Sequence, residues 1–323
     1  MAVNFADEAP YIIKEYLFYM QTIKVRSENT VDEYYLDLRT FFRFLKMKRK
    51  LTDLPFEEIE IDDIDLDFIK TVTLMDAYEF MNYLSRERNN NANSRSRKCS
   101  ALKQFFSYLT VKKHYLESDP MRELEVPKKK KTLPKYLTLE QSIELLNAVD
   151  GKFKERDYCI LTLFLNCGLR LAELVGLNMS SIRSNNTMVV TGKGNKERIV
   201  YLNEACISAL NEWRKVRPNE ELKDRDALFV SSHHKRLSRE MVQKLVQKYL
   251  EKIGLDSQGY SCHKLRHTAA TLMYQHGEVD IRVLKDVLGH ENLGTTQIYT
   301  HISSSQLESA SKKNPLANIK SKK

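Results

Sequence analysis

Apolar residues recur at helical spacing along most of the chain, and the pattern divides into two groups of elements on either side of residue 130. In the first group, residues 9–22 carry one apolar stripe. Ser27 stands before a longer one formed by Val31, Tyr34, Tyr35, Leu38, Phe41, Phe42 and Leu45, which predicts a capped helix with one buried face. Tyr78, Phe80, Met81 and Leu84 predict a third helix over 76–87, ended by the asparagine-rich turn at 89–93. A fourth is predicted to open at Ser94, with Ala101, Leu102, Phe105, Phe106 and Leu109 inward. The acidic stretch 51–73 shows no clear period. These elements make a small helical bundle.

The second group mixes periods. Residues 187–191 and 198–202 are β-branched and apolar, and Gly-Lys-Gly-Asn-Lys at 192–196 supplies turn material, so a hairpin is predicted there. Helical spacing surrounds it, over 139–149, 154–166, 170–176, 204–216, 238–253, 263–276 and 279–288. The fold class expected is mainly α with a small antiparallel β-hairpin in the second domain.

Composition sharpens the division. Pro127 and Pro134 flank Lys128, Lys129, Lys130 and Lys131, a run that repels itself and stays extended. The expected organisation is a helical domain over 1–126, a basic linker over 127–136 and a second domain over 137–323. The net charge is +9. That excess sits in the linker and in the lysines after residue 311, so any nucleic-acid face on the folded parts must come from charges sorted onto opposite surfaces. No apolar run approaches the roughly 20 residues needed to cross a bilayer, and the start of the chain lacks a signal-peptide pattern. Five scattered cysteines without a Cys-x-x-Cys pair argue against a disulfide framework and a structural zinc site. A cytoplasmic protein with no membrane partner is expected. Neither a G-x-x-x-x-G-K-[ST] loop nor an H-E-x-x-H motif occurs, which leaves ATP hydrolysis and zinc hydrolysis without support.

Several polar residues of the second domain point to a phosphate. His263 and Arg266 share a face at a helix opening, and a guanidinium can hold two nonbridging oxygens at once. Arg170 falls in the first turn of a predicted helix after Gly168, a poor place for a cation that a bound phosphate would offset; Glu173 can hold its guanidinium. Lys193 lies in the hairpin turn, His290 follows the helix-ending Gly289, and Tyr299 lies beyond. Taken singly each has a plainer reading: a structural histidine with a surface arginine, a surface ion pair, solvated turn residues including Lys196 and Arg198, a core tyrosine. Taken together they meet the demands of phosphodiester transesterification. A phenol attacks phosphorus, arginines stabilise the nonbridging oxygens, and a lysine or histidine protonates the leaving oxygen.

The residues resemble those of the tyrosine recombinase (phage integrase) family, and within it the Xer-type recombinases. The resemblance rests on CGLRLAELVGL at 167–177, GKGNKERIV at 192–200, HKLRHTAAT at 263–271, LGH at 288–290 with IYTH at 298–301, and SENTVDEYYLDLRTFFRFL at 27–45. It covers nearly the whole chain. It implies a site-specific recombinase, with Tyr299 as the nucleophile that forms a 3′-phosphotyrosyl link. Arg170 and Arg266 would hold the nonbridging oxygens and Lys193 would act as general acid. His263 would assist proton transfer from the tyrosine, His290 would hydrogen-bond the phosphate, and Glu173 would support Arg170. No metal, ATP or other cofactor is implied. Ala172, Cys262 and Tyr201 stand where the family often has serine, proline and proline; none of them removes a catalytic group.

The same resemblance implies a two-domain DNA clamp: a helical core-binding (SAM-like) domain and an α+β catalytic domain, joined by the linker. Lys128, Lys129, Lys130 and Lys131 would cross the phosphate backbone, and Arg95 and Arg97 at a helix opening would add phosphate contacts. The partners implied are double-stranded DNA with inverted half-sites, a homo- or heterotetramer on paired sites, and a second recombinase or a DNA translocase. A first domain that begins almost at residue 1 suggests a simple recombinase without an arm-binding domain. Resolution of chromosome or plasmid dimers is the expected role. Integration or excision of a mobile element, a type IB topoisomerase, and a DNA-binding protein with a degenerate site are the rivals.

Overall fold

A computed structural model describes residues 5–126, 135–276 and 279–289, with Lys193 described through its backbone. The chain divides into two compact units, Met1–Lys131 and Thr132–Lys323.

The first unit is helical: α1 (Phe5–Glu8), α2 (Tyr11–Phe18), α3 (Glu28–Lys48), α4 (Leu66–Lys70), α5 (Leu74–Arg86) and α6 (Ala92–Ser107). Both α2 and α6 run on into a wider, π-type turn, at Tyr19–Ile23 and Tyr108–Lys112. The apolar stripe of α3 meets α5 and α6 in an aromatic core, where Phe41 lies edge-on to Phe80 at 5.1 Å and Phe42 edge-on to Phe105 at 6.1 Å. Such edge-to-face contacts set the electropositive ring edge of one side chain against the electron-rich face of the next. Thr73 and Asp76 form a reciprocal capping box that starts α5 two residues before the periodicity suggests. The fourth long helix also opens early, because Asn91 accepts from the Ser94 backbone N–H; Ser94 therefore lies in its first turn and does not open it. Ser27 occupies the N-cap of α3, yet its hydroxyl pairs with Thr30 Oγ1 at 2.9 Å and makes no bond to the helix backbone. The acidic stretch is structured. It buries Ile59, Ile61, Ile64, Ile69 and Val72, and Lys46 and Arg43 of α3 bond Asp63 and the Ile59 carbonyl.

The second unit contains α7 (Leu139–Asn147), α8 (Lys154–Cys167), α9 (Leu171–Val175), β1 (Thr187–Thr191), β2 (Glu197–Tyr201), α10 (Glu204–Val216), α11 (Arg239–Lys252), α12 (Cys262–Gln275) and α13 (Ile281–Leu288). From Cys159 on, helix α8 is buried nearly all round and so lies at the centre, packed against α10 and α12. The strands pair antiparallel with Thr187 opposite Tyr201 and Thr191 opposite Glu197, one residue earlier on β2 than the residue pattern suggests. The core gathers Ile160, Phe164, Trp213, Phe229 and Tyr249; the Trp213 indole N–H donates to the Leu228 carbonyl at 2.9 Å. Among the described residues no helix is long and apolar enough to cross a membrane.

Candidate active site

Glu173 organises the site. It is the third residue of α9, and its side chain is 1% exposed. Its carboxylate accepts the backbone N–H of Arg170 at 2.8 Å and Arg170 Nη1 at 2.8 Å. Arg198 of β2 grips the same carboxylate at both oxygens, Nη1 to Oε1 at 2.6 Å and Nη2 to Oε2 at 2.9 Å. Arg266 Nη1 lies 3.8 Å from Oε2. Burial alone would raise the Glu173 carboxyl. The bonds from Arg198 and Arg170 outweigh it, and the group is held below its ordinary range.

The arginines arrive from separate elements. Gly168 ends α8 in the left-handed conformation (φ 58°, ψ 37°), where a Cβ would meet Leu288 Cδ2 at 2.7 Å. The chain turns there, and Arg170 occupies the extended N-cap position of α9, not its first helical turn as the sequence suggests. Arg170 thus stays at the positive end of the α9 dipole, where the Glu173 carboxylate offsets it and accepts its backbone N–H. Arg266 lies one turn into α12 and is buried, not a surface residue. Its Nη1 donates to the Gly168 carbonyl at 2.6 Å and its Nη2 to the Leu288 carbonyl at 2.7 Å. Those carbonyls close α8 and α13, where the negative ends of the helix dipoles favour a cation. Arg170 Nη2 reaches the next carbonyl of the same turn, Gly289, at 3.1 Å. One guanidinium is thus sunk in the protein, while the Arg170 side chain keeps 39% of its surface exposed.

His263 opens the exposed face of α12, one turn before Arg266, and its ring stands edge-on to His267 at 4.5 Å. Partial desolvation, then the charges of Arg266, Lys264 and Arg170, hold its imidazole below the usual histidine range. The neutral ring can therefore accept a proton near pH 7. Gly192 approaches Glu173 so closely that a Cβ would fall 3.4 Å from Oε1, and its N–H closes the hairpin turn on the Lys196 carbonyl at 2.8 Å. The backbone of Lys193 follows directly and starts the turn Lys193–Asn195.

Two supporting arginines escape sequence reasoning. Arg198 reads there as a solvated hairpin residue, yet its guanidinium is the two-point partner of Glu173. Arg236 closes the other end of α9: its Nη1 donates to the Val175 and Leu177 carbonyls, each at 2.9 Å, its Nη2 to Asn178 Oδ1, and its Nε to Asp224 Oδ2. A basic residue on an alternating strand next to a glycine-rich turn was the one available signal for Arg198. Nothing in the sequence marks Arg236.

In the first unit, Arg97 is drawn into the fold by ion pairs with Glu33 and with the buried Asp37, which Lys98 also bonds. The Nε of Arg95 is buried without a hydrogen-bond partner among the described residues. His290, Tyr299, Lys128, Lys129, Lys130 and Lys131 lie outside the described residues.

Three guanidiniums around one carboxylate leave two net positive charges. Part of that charge is exposed through Arg170, beside a neutral imidazole. Such an arrangement can hold an anion with several oxygens and move a proton next to it.

Comparisons with known proteins agree with this chemistry. Residues 135–306 match the model of the phage integrase family. The tyrosine recombinase XerC of Caldanaerobacter subterraneus subsp. tengcongensis is 52% identical over 310 residues, covering 95% of this chain and 88% of the relative. The tyrosine recombinase XerD of Proteus mirabilis is 34% identical over 310 residues, covering 94% and 93%. Among solved structures, the XerH site-specific recombinase bound to its difH substrate in a pre-cleavage complex aligns with a TM-score of 0.69 at 22% identity, over 96% of this chain and 85% of that one. A lambda integrase dimer on a core site aligns at 0.65 and 15%, over 88% and 95%. These two likenesses are of fold.

Proposed function

This chain belongs to the phage integrase family and is a site-specific tyrosine recombinase, and from that premise we propose that it cuts and rejoins DNA through Tyr299 to resolve chromosome or plasmid dimers. The observation that carries the reading is the convergence of Arg170, Arg198 and Arg266 on Glu173, which leaves net positive charge partly exposed through Arg170.

In this reading Arg170 and Arg266 hold the nonbridging oxygens, with His290 adding a hydrogen bond. The Tyr299 phenolic oxygen attacks phosphorus as its proton passes toward the neutral His263 imidazole. A Tyr–O–P bond forms and the bond from phosphorus to the 5′-oxygen breaks. Lys193 gives that oxygen a proton, leaving a free 5′-hydroxyl and a 3′-phosphotyrosyl link. The 5′-hydroxyl of a second duplex then attacks the phosphotyrosine and releases the tyrosine. Bond energy is conserved in the covalent ester, so the cycle balances without a cofactor.

The substrate is double-stranded DNA with inverted half-sites, and the working form is a tetramer on two paired sites in the cytoplasm, with a second recombinase or a translocase as further partner. The two units act as the core-binding and catalytic domains, with Lys128, Lys129, Lys130 and Lys131 on the DNA backbone between them. Arg95 and Arg97 would add phosphate contacts, and Arg97 must then share its charge with Glu33 and Asp37. Likeness to relatives named tyrosine recombinase XerC and XerD supports strand exchange as the reaction.

The test is a nicked suicide duplex carrying candidate sites from the source genome, incubated without metal or ATP. A covalent protein–DNA band on a denaturing gel is expected, and it vanishes in Tyr299→Phe. DNA binding without any covalent band at any site would overturn the reading. A product confined to one duplex would indicate a topoisomerase.

A further inference from the structure

Arg198 lies outside the set of residues that touch phosphate in the proposed mechanism, yet its guanidinium makes a two-point contact with the central carboxylate of the site. Its guanidinium occupies both oxygens of Glu173. Its aliphatic stem lies against Gly289 so closely that a Cβ there would meet Arg198 Cδ at 2.9 Å. The carbonyl of the same glycine accepts Arg170 Nη2. Arg198 therefore touches two groups that orient Arg170, the carboxylate on α9 and the turn that ends α13. Its own side chain is 15% exposed, against 39% for Arg170.

The chemistry of the carboxylate gives this contact a purpose. A buried carboxylate seeks partners at every lone pair. With Arg198 in place, Glu173 is held by a rigid two-point fork, and Arg170 needs only one Nη1 bond to it. Without that fork, Glu173 keeps only the backbone N–H and the Nη1 of Arg170, and it can turn to take both guanidinium nitrogens of Arg170 or close on Arg266. Either change would turn phosphate-binding N–H groups inward, and the loss of Arg198 itself removes one of the two net positive charges. A lysine could restore the charge but not the fork.

We propose that Arg198 is a positioning residue for strand cleavage, acting through Glu173 and the Gly289 turn to keep the Arg170 guanidinium directed at the scissile phosphate. The inference rests on the recombinase reading above.

The experiment uses the full chain and the variants Arg198→Gln, Arg198→Lys, Glu173→Gln and the double variant Glu173→Gln with Arg198→Gln. Single-turnover cleavage of the nicked duplex, DNA affinity by gel shift, thermal melting and inorganic phosphate binding followed by ³¹P NMR are measured on each. Both Arg198 variants are expected to cleave on the order of 100-fold more slowly, the loss that an ångström-scale misplacement brings, with DNA affinity and folding retained. In the Glu173→Gln background the further loss on changing Arg198 is expected to stay within about twofold, because residues acting as one unit are not additive.

Wild-type rates in Arg198→Gln overturn the inference. So do full activity in Arg198→Lys, a fully additive loss in the double variant, or loss of folding in both Arg198 variants, which would make the residue merely structural. Should the wild-type protein cleave no DNA, the recombinase reading fails, and phosphate binding decides the inference by itself. At least tenfold weaker phosphate binding in both Arg198 variants would sustain it, and equal binding would overturn it.

Discussion

Arg198 and Glu173 meet through two parallel N–H···O bonds of 2.6 and 2.9 Å, from a strand to a helix 25 positions apart in sequence. The pair joins the hairpin to the short helix that carries Arg170, and it places the most buried carboxylate of the site under three positive charges. Removing that carboxylate leaves those charges facing one another. Glu173→Gln is expected to lower the stability of the second unit by about 3–5 kcal/mol at pH 7 in urea unfolding, the usual cost of breaking a buried pair. The sign with pH follows from the depressed carboxyl. Its contribution is complete above the unfolded value near 4.3 and is lost as pH falls through the lower native one. Wild type and variant should therefore converge in acid, and a stability gap that widens below pH 4 would contradict the assignment.

His263 offers a direct reading of the site's field. Its imidazole is held below the usual value by desolvation and by Arg266, Lys264 and Arg170. In the free protein its C2–H resonance should titrate with a midpoint below about 6.5. Arg170→Ala should move that midpoint upward. The folded state is penalised when this ring is protonated, so its effect is absent above the unfolded pKa and costs stability as pH falls toward the native one. A midpoint at or above the unfolded value would show that the positive charges do not reach the ring.

Gly168 should tolerate no side chain. Alanine there meets both the left-handed backbone and Leu288 Cδ2 at 2.7 Å. Gly168→Ala is expected to cost about 3 kcal/mol or more in chemical unfolding, the sum of backbone strain and overpacking. Cleavage should fall as well, since the Gly168 carbonyl anchors Arg266. Unchanged stability would mean that the α8–α13 contact is looser than described.

The five thiols should be inert in the native protein. All are buried, and Cys167 and Cys206 face each other at 3.7 Å between sulfurs. Burial pushes the Cys262 thiol up to about 11 and Cys159 well above the ordinary thiol range. Iodoacetamide at pH 7.5 is expected to modify none of them within an hour and all five after unfolding in guanidinium, read by intact mass. Rapid native labelling of Cys262 would show that the opening of α12 is accessible.

Much of the architecture was legible before any coordinates. Helix α10 and strand β1 begin and end where the residue pattern puts them, and the glycines at 168 and 289 end helices in the left-handed conformation. Each of these signals is local: a period, a cap, a turn residue. Where local chemistry competes, boundaries shift. Asn91 outcompetes Ser94 as a cap, and Thr73 starts α5 early because Asp76 completes a capping box. The acidic stretch 51–73 defeated the pattern because Ile59, Ile61 and Ile64 are buried outside any long helix, while Glu57 and Asp63 pair with Arg43 and Lys46 of α3.

The sequence by itself determined the helical and hairpin elements, and the ordered set of arginine, lysine, histidine and tyrosine residues that points to phosphoryl transfer. Only the tertiary structure decided how the charges are spent. It moved Arg170 to the helix cap, buried Arg266 between two helix ends, turned Arg198 from a solvated strand residue into the clamp on Glu173, and gave Arg236 the far end of α9. The reason is physical. A helix or turn is specified by neighbours within a few residues, whereas a charge is tolerated in the interior only when partners distant in sequence arrive together to satisfy it.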